Sequence, residues 1–238
     1  MTVGVLGYGR MGAAFAGALD AVSCPVLIAG ACQGSAARVA SRLRHACATD
    51  VPHLIRTASL LVLALPFAAA LELMSGPPAR AGAGRTLVDP TNPVLGPGPR
   101  PEAIVGRSGG EVLAASLTSW HVVKAFNSVP AAMMGTPSVP GGAVTLPIAS
   151  DHEPAKTEVG MLARRLGFEP VDAGGIGRSR ELEALAVLLN AINHHHGLAG
   201  RVGFHLARAC PEPAQPRMEA TCLSTSDDRL RAPGWLRG

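Results

Sequence analysis

Short apolar runs alternating with helix-compatible stretches predict an α/β fold, a doubly wound, mostly parallel sheet with helices on both faces. Three observations carry this expectation. Apolar runs recur at Thr2–Leu6, Pro25–Ala29, Ser59–Leu65 and Arg85–Val88, separated by turn residues and helical stretches. The hydrophobic content of 47% is mostly Ala, Val and Leu, with aromatics at only 3%, which suits helices laid on a parallel sheet. The first run also passes directly into Gly7-Tyr8-Gly9-Arg10-Met11-Gly12, a G-x-G-x-x-G loop that opens a helix. In that context Gly7 permits the tight turn, Gly9 lets a pyrophosphate approach the backbone, and Gly12 lets helix and strand pack closely. The helix N-terminus offers free N–H groups and the positive end of its dipole to phosphate. A Rossmann-type dinucleotide-binding domain follows.

Each element can be justified in order. The first strand is Thr2–Leu6 and the first helix Met11–Leu19. Pro25–Ala29 is the second strand, ending at Gly30, and Ser35–Ala46 the second helix. Residues 47–57 fit either a short strand or a turn of helix. Ser59–Leu65 is a continuous apolar run stopped by Pro66, as in a buried parallel strand, and Phe67–Met74 is helical. Arg85–Val88 runs into Asp89-Pro90-Thr91-Asn92-Pro93, a loop stiffened by two prolines. Residues 94–101 are loop, Glu111–Ser119 helix, Trp120–Phe126 strand, 130–141 loop and Ala143–Ala149 strand. Asp151 is a candidate N-cap for a helix running to Leu166, with Gly167 as C-cap and Phe168–Val171 as a last strand. Residues 178–207 are helical in character, as two helices broken near Gly197–Gly200. The expected plan is a Rossmann NAD(P)-binding domain over 1–177, a small C-terminal helical subdomain over 178–208, and a poorly ordered tail over 209–238.

Composition excludes several classes. The net charge is +4, yet no Lys/Arg cluster interleaves with aromatics, so nucleic acid is not an expected partner. Cys24, Cys32, Cys47, Cys210 and Cys222 are odd in number without a CxxC pair, which fits reduced thiols better than a disulfide framework or a zinc site. Glycines and Arg10 interrupt any signal-peptide core at the N-terminus. The longest apolar stretch, Leu60 to Leu73, contains Pro66 and Glu72 and falls short of the ~20 residues a membrane span needs. A cytoplasmic protein with no membrane partner is the expectation.

At the end of the second strand, a ribose-binding acid would stand about 20 residues past the glycines. The chain reads Ala29-Gly30-Ala31-Cys32-Gln33-Gly34-Ser35 there, and Asp20 falls too early. Nothing repels a 2′-phosphate, which favours NADP, and Arg10 and Arg38 are the basic candidates. No acid–base constellation stands out, and Glu181 and Glu183 occupy different faces of a helix. Successive residues of His194-His195-His196 lie ~100° apart on a helix and cannot converge on one ion, so no metal is expected. A lack of acid and base suits hydride transfer between two stacked rings, which needs alignment alone. Reducing a carbonyl or imine calls for a proton donor, for which only His121, Lys124 and Tyr8 stand near the sheet.

Several segments in order carry a more specific signal. They are the glycine loop, Leu65-Pro66-Phe67, Val88-Asp89-Pro90-Thr91-Asn92-Pro93, Val122-Val123-Lys124-Ala125-Phe126-Asn127-Ser128, and Gly167-Phe168-Glu169-Pro170-Val171-Asp172-Ala173-Gly174-Gly175. Arg180 to Ala186 and Gly200 to Phe204 follow. Over about residues 2–207 the chain resembles the NADPH-dependent coenzyme F420 reductase family, whose Rossmann fold is also similar to the reductase domain of six-transmembrane metalloreductases. The resemblance implies NADP(H) along the glycine loop, with coenzyme F420 or a flavin stacked on the nicotinamide from the carboxyl edge of the sheet. Gly7, Tyr8, Gly9, Arg10 and Met11 would hold the pyrophosphate, and Leu65, Pro66 and Phe67 would line its far side. Pro90, Thr91 and Asn92 would face the nicotinamide, and Asn127, Ser128 and Val129 the second ring. After Gly30 the family often has a Ser-Arg pair that grips the 2′-phosphate; Ala31 and Cys32 stand there instead, and Asn127 stands where archaeal members have His. The implied activity is an NADP(H)-dependent oxidoreductase that works by positioning, with no catalytic side chain. The alternatives are an NADPH-dependent reductase of a small carbonyl or imine, and a non-catalytic NADP(H)-binding sensor or partner protein. The apolar helices after residue 180 offer a face for a homodimer.

Overall fold

Val3, Val5 and Leu6 are all fully buried because β1 (Val3–Leu6) is the centre of the sheet, paired in parallel on both sides. Its neighbours are β2 (Val26–Ala29) and β4 (Leu60–Leu63). Outward lie β3 (Ala46–Ala48) on one side, and β5 (Thr86–Asp89) and β6 (His121–Lys124) on the other. The eight-stranded sheet is completed by β9 (Thr145–Ala149) and β10 (Glu169–Gly174), in the order β3-β2-β1-β4-β5-β6-β9-β10. The first six strands are parallel; β9 runs antiparallel to β6, with Lys124 opposite Ala149, and β10 is parallel to β9. Two short strands, β7 (Ser138–Val139) and β8 (Gly142–Ala143), form a separate ribbon. This is the expected doubly wound, mostly parallel sheet. Its strand order reverses between β1 and β4, which is where such folds open a ligand crevice. The computed structural model describes residues 1–76, 80, 82, 84–93 and 106–207, and Met1–Leu206 forms one compact unit.

Period-two alternation divides the core. Val3, Val5, Leu60, Val62, Val88 and Val123 face one side, against α1 (Arg10–Ala21), α2 (Gln33–Ala40) and α6 (Glu153–Arg165). Leu6, Leu61, Leu63, Leu87 and Val122 face the other, against α3 (Val51–Thr57), α4 (Phe67–Met74) and α5 (Gly109–Ser116). Burying each such side chain contributes about 1.5–3 kcal/mol. The last helix, α7 (Ser179–His196), packs against α5 and leaves Val187, Leu188 and Ile192 exposed. Among the described residues no helix is long and apolar enough to cross a membrane.

Several boundaries differ from the sequence expectation for identifiable reasons. The second helix ends at Ala40 rather than Ala46, because the chain must turn back for Ala46 to pair with Val26; the Asp20 carboxylate accepts from the His45 N–H at 2.6 Å and fixes that turn. Residues 47–57 hold both of the weighed elements, the end of β3 and then α3, capped by Asp50. The helix expected from Glu111 starts at Gly109, where Ser108 and Glu111 form a capping box. Asp151 does not cap α6. Its carboxylate accepts from the Ile176 N–H at 2.9 Å instead, and His152 precedes the helix without a side-chain cap. The strand expected over 120–126 stops at Lys124, because Phe126 adopts φ +63° and turns the chain. The loop expected over 130–141 includes a 3-10 turn at Ala131–Met133 and the strand β7.

Among the described residues after 178 there is one helix, not two. Gly197 at φ +61° ends α7, and the chain then runs as a strap along β9, where the Thr145 N–H donates to the Phe204 carbonyl at 2.7 Å and the Leu206 N–H to Thr145 Oγ1 at 2.9 Å. The loop 94–101 and the tail 209–238, with Cys210 and Cys222, lie outside the described residues.

Candidate functional site

The glycine loop divides its labour by position. Gly7 has φ +120°, and a Cβ there would lie 2.1 Å from the Ala64 carbonyl oxygen; one on Gly12 would lie 2.1 Å from that of Gly7. Both glycines are required for α1 to rest on the strand ends. Gly9 is different. A Cβ on it would meet nothing within 4 Å, so the loop faces open space there. No side chain caps α1 and no acid stands in its first turn, so its leading N–H groups and its dipole are free for an anion. A dinucleotide pyrophosphate fits this opening.

From that opening extends a cleft of about 490 Å³. Gly9, Arg10 and Met11 form one end, and Leu65, Pro66 and Phe67, after β4, one wall. Pro90, Thr91 and Asn92 after β5, with Asn127, Ser128 and Val129 after β6, form its floor. These four sequence-expected groups therefore meet, each at the carboxyl end of a parallel strand. Five expected residues do not line the cleft. Gly7 is buried in the turn, and Tyr8 borders a second cavity. Gly30, Ala31 and Cys32 line neither. The Tyr8 ring packs on Gly30, where a Cβ would fall 2.6 Å from Cε1, and its hydroxyl accepts from the Cys32 N–H at 3.2 Å.

The opposite wall escaped sequence reasoning. Ala186, Leu189, Asn190 and Asn193 of α7 line it, with Gly200 and Val202 of the strap, and Leu63, Ala64 and Pro130 complete the surround. The spacing of 186, 189, 190 and 193 is that of one helical face, a signal present in the sequence but without a target until α7 is folded back. The Gly200 N–H donates to Asn193 Oδ1 at 2.7 Å and ties the strap to the helix.

Behind the floor lies a buried polar network. Lys124 Nζ donates to Asp89 Oδ2 at 2.9 Å, to the Thr91 carbonyl at 2.7 Å and to Glu183 Oε1 at 2.8 Å. Asp89 Oδ1 accepts from the Thr91 N–H at 2.9 Å and its hydroxyl at 2.6 Å. Glu183 also accepts from the Gly109 and Gly110 N–H groups, each at 3.2 Å, at the start of α5. Asn92 Nδ2 donates to the Asn127 carbonyl at 2.7 Å, and Asn127 Nδ2 to Asn92 Oδ1 at 3.0 Å and to the Leu182 carbonyl at 2.8 Å. Both loops of the floor are thereby fastened to α7. Asn127 Oδ1 is buried with no hydrogen-bond partner among the described residues. Asp89 and Glu183 escape sequence reasoning because their partners Lys124, Thr91 and the start of α5 come together only in the fold.

The three candidate proton donors are displaced. Lys124 is fully buried with its donors engaged, so it does not reach the cleft. His121 opens β6 at the end opposite the cleft and stacks on His152 at 4.3 Å. The Tyr8 hydroxyl is turned to Cys32. His194, His195 and His196 are exposed and line no part of the cleft. Cys32, exposed at the start of α2, has its thiol pKa lowered by the Ser35 side chain and backbone N–H, and by the Arg38 charge.

Residues 2–93, from β1 through the loop after β5, match the model of the family described as NADP oxidoreductase, coenzyme F420-dependent. That match covers less than half of the 238-residue chain. Metalloreductase STEAP3 of Rattus norvegicus is 36% identical over 108 residues, which cover 45% of this chain and 21% of that protein. The match thus spans about a fifth of that relative's length. A solved structure from Arthrobacter sp. FB24, described as an F420-dependent NADP-reductase, superposes with a TM-score of 0.77 at 27% identity, covering 87% of this chain and 100% of that one. A reductive aminase of Aspergillus terreus, solved with NADPH and ethyl levulinate, shares the fold alone, with a TM-score of 0.61 at 20% identity over 83% of this chain and 63% of that one.

Proposed function

We propose that the chain transfers a hydride between NADP(H), laid along the glycine loop, and a deazaflavin such as coenzyme F420 or a flavin, stacked against the nicotinamide in the cleft. One observation carries this choice of acceptor. Among the described residues lining the cleft there is no Asp, Glu, His, Lys, Tyr or Cys, the usual proton donors. No side chain there can hand a proton to a carbonyl oxygen or an imine nitrogen, as reduction of such substrates demands. Hydride exchange between two rings asks only for proximity and alignment. The proton that balances a reduced ring sits on nitrogen and exchanges with water.

The chain's residues then have distinct tasks. Gly9 and the first N–H groups of α1 hold the pyrophosphate, with Arg10 beside them. Leu65, Pro66 and Phe67 keep water from one face. Thr91 and Asn92, fixed by Asp89 and Asn127, set the plane of the nicotinamide, which supplies or takes the hydride when bound. Asn127, Ser128 and Val129 meet the second ring, opposite the amides of Asn190 and Asn193. The family match over residues 2–93 and the likeness to the Arthrobacter protein support this reading.

An acceptor screen tests it. NADPH oxidation is followed by absorbance with coenzyme F420, FMN, FAD, and a cyclic ketone with and without amine. Turnover with a deazaflavin or flavin, and none with ketone or imine, is expected. Turnover with the ketone or imine overturns the choice of acceptor. Tight NADPH binding without turnover on any acceptor selects the sensor reading.

A further inference from the structure

A second cavity, of about 340 Å³, opens beside the glycine loop and is bounded by Tyr8, Ser35, Arg38, Val39 and Arg42. Ser35, Arg38 and Val39 belong to α2, and Arg42 to the turn that follows it. Arg38 Nη2 donates to Ser35 Oγ at 3.0 Å, which fixes one guanidinium at the cavity wall. Arg38, on α2, and Arg42, in the turn after it, line the same cavity, so two like charges are held near each other. Neither forms an ion pair among the described residues, and no acid stands in the first turn of α2. The two cations converge on a cavity without a counter-ion of their own.

Position says which anion the cavity suits. Tyr8 is part of the glycine loop, and its contacts with Gly30 and Cys32 hold it at the tip of β2. In a doubly wound fold the ribose of a dinucleotide lies at that tip, one step from the pyrophosphate. The tip itself offers Ala31 and Cys32, neither of them a basic side chain. We propose that this cavity seats the 2′-phosphate of NADP(H), with Arg38 and Arg42 as its counter-ions. Recognition of the phosphate is thus moved off the strand end and onto the helix behind it. Guanidinium groups suit the task, since each presents several N–H donors in the plane of a phosphate edge. This assignment rests on the proposal that a dinucleotide lies along the glycine loop.

The test compares Kd for NADPH and NADH by calorimetry, on the full chain, for the wild type, Arg38→Ala, Arg42→Ala, the double variant and Arg10→Ala. Arg38 and Arg42 are both exposed, and unchanged melting temperatures verify that the variants fold. The wild type is expected to prefer NADPH. Arg38→Ala and Arg42→Ala should each weaken NADPH by about tenfold, while leaving NADH within about twofold. The double variant should bind the two dinucleotides alike. Three results overturn the assignment: a wild type without preference for NADPH, a double variant that keeps it, or its loss in Arg10→Ala alone. A wild type that binds neither dinucleotide overturns the glycine-loop reading as well, so the two failures are distinguishable.

Discussion

Lys124 donates to Glu183 at 2.8 Å, an ion pair that joins β6 to α7 with the lysine side chain 0% and the glutamate 8% exposed. Asp89 shares the same ammonium at 2.9 Å, so one cation serves two carboxylates. Removing a partner from a buried ion pair leaves an uncompensated charge, which is far costlier than never burying the pair.

Lys124→Met therefore leaves Asp89 and Glu183 facing each other without a counter-ion. A loss of about 3–5 kcal/mol in unfolding free energy is expected from urea titration. Glu183→Gln keeps a one-to-one Lys124–Asp89 pair and should cost less than half as much. A Lys124→Met protein as stable as the wild type would show that the network carries no energetic weight.

The glycine loop predicts opposite phenotypes for neighbouring glycines. Gly9 has φ −68° and ψ −170°, an extended backbone open to any residue, with empty space where a Cβ would go. Gly9→Val should keep the melting temperature within a few degrees and abolish dinucleotide binding in calorimetry. Gly12→Ala should instead lower stability by about 1–3 kcal/mol, the usual cost of overpacking, because its Cβ would press on the Gly7 carbonyl. Binding that survives Gly9→Val would place the pyrophosphate elsewhere.

The α5 capping box should respond to acid. The Ser108 N–H and hydroxyl each donate to Glu111 Oε2 at 2.7 Å. Backbone first and side chain second, these bonds hold the carboxyl below the usual range against the opposing effect of burial, with help from the Arg180 and Arg107 charges. The folded value lies below the unfolded one, about 4.3. The contribution is therefore complete above that pH and is lost as pH falls through the folded value. The stability difference between wild type and Glu111→Gln should stay constant from pH 7 to about 5 and shrink below about 4. A difference that grows on acidification contradicts the assignment.

What the sequence reveals about this site follows from where its parts lie. Gly9, Leu65–Phe67, Pro90–Asn92 and Asn127–Val129 each follow an apolar run directly, and a parallel sheet delivers strand ends to one edge. The cleft floor is thus legible from local pattern. The wall made by Asn190 and Asn193 is not, because it exists only once α7 folds back over the strand ends. Lys124 is misleading for a related reason. A lysine inside a strand suggests an exposed edge, and its partners Asp89 and Glu183 come from two distant segments. At the tip of β2, attention to Ala31 and Cys32 overlooks Ser35 and Arg42, whose approach depends on how α2 packs.

Phe126 gives the cleft one more property. A non-glycine residue at φ +63° costs about 1–3 kcal/mol, and it persists only where packing insists on it. Phe15 of α1 meets its ring edge-on at 4.8 Å and Phe168 does so at 5.5 Å, so three of the chain's five phenylalanines stand behind a single corner. That corner aims Asn127, the very next residue. The cleft is therefore adjustable from the rear: trimming Phe168, which lines no part of it, slackens the grip on the corner and lets the amide drift. Evolution or design could retune the acceptor side here without altering one residue that a ligand touches.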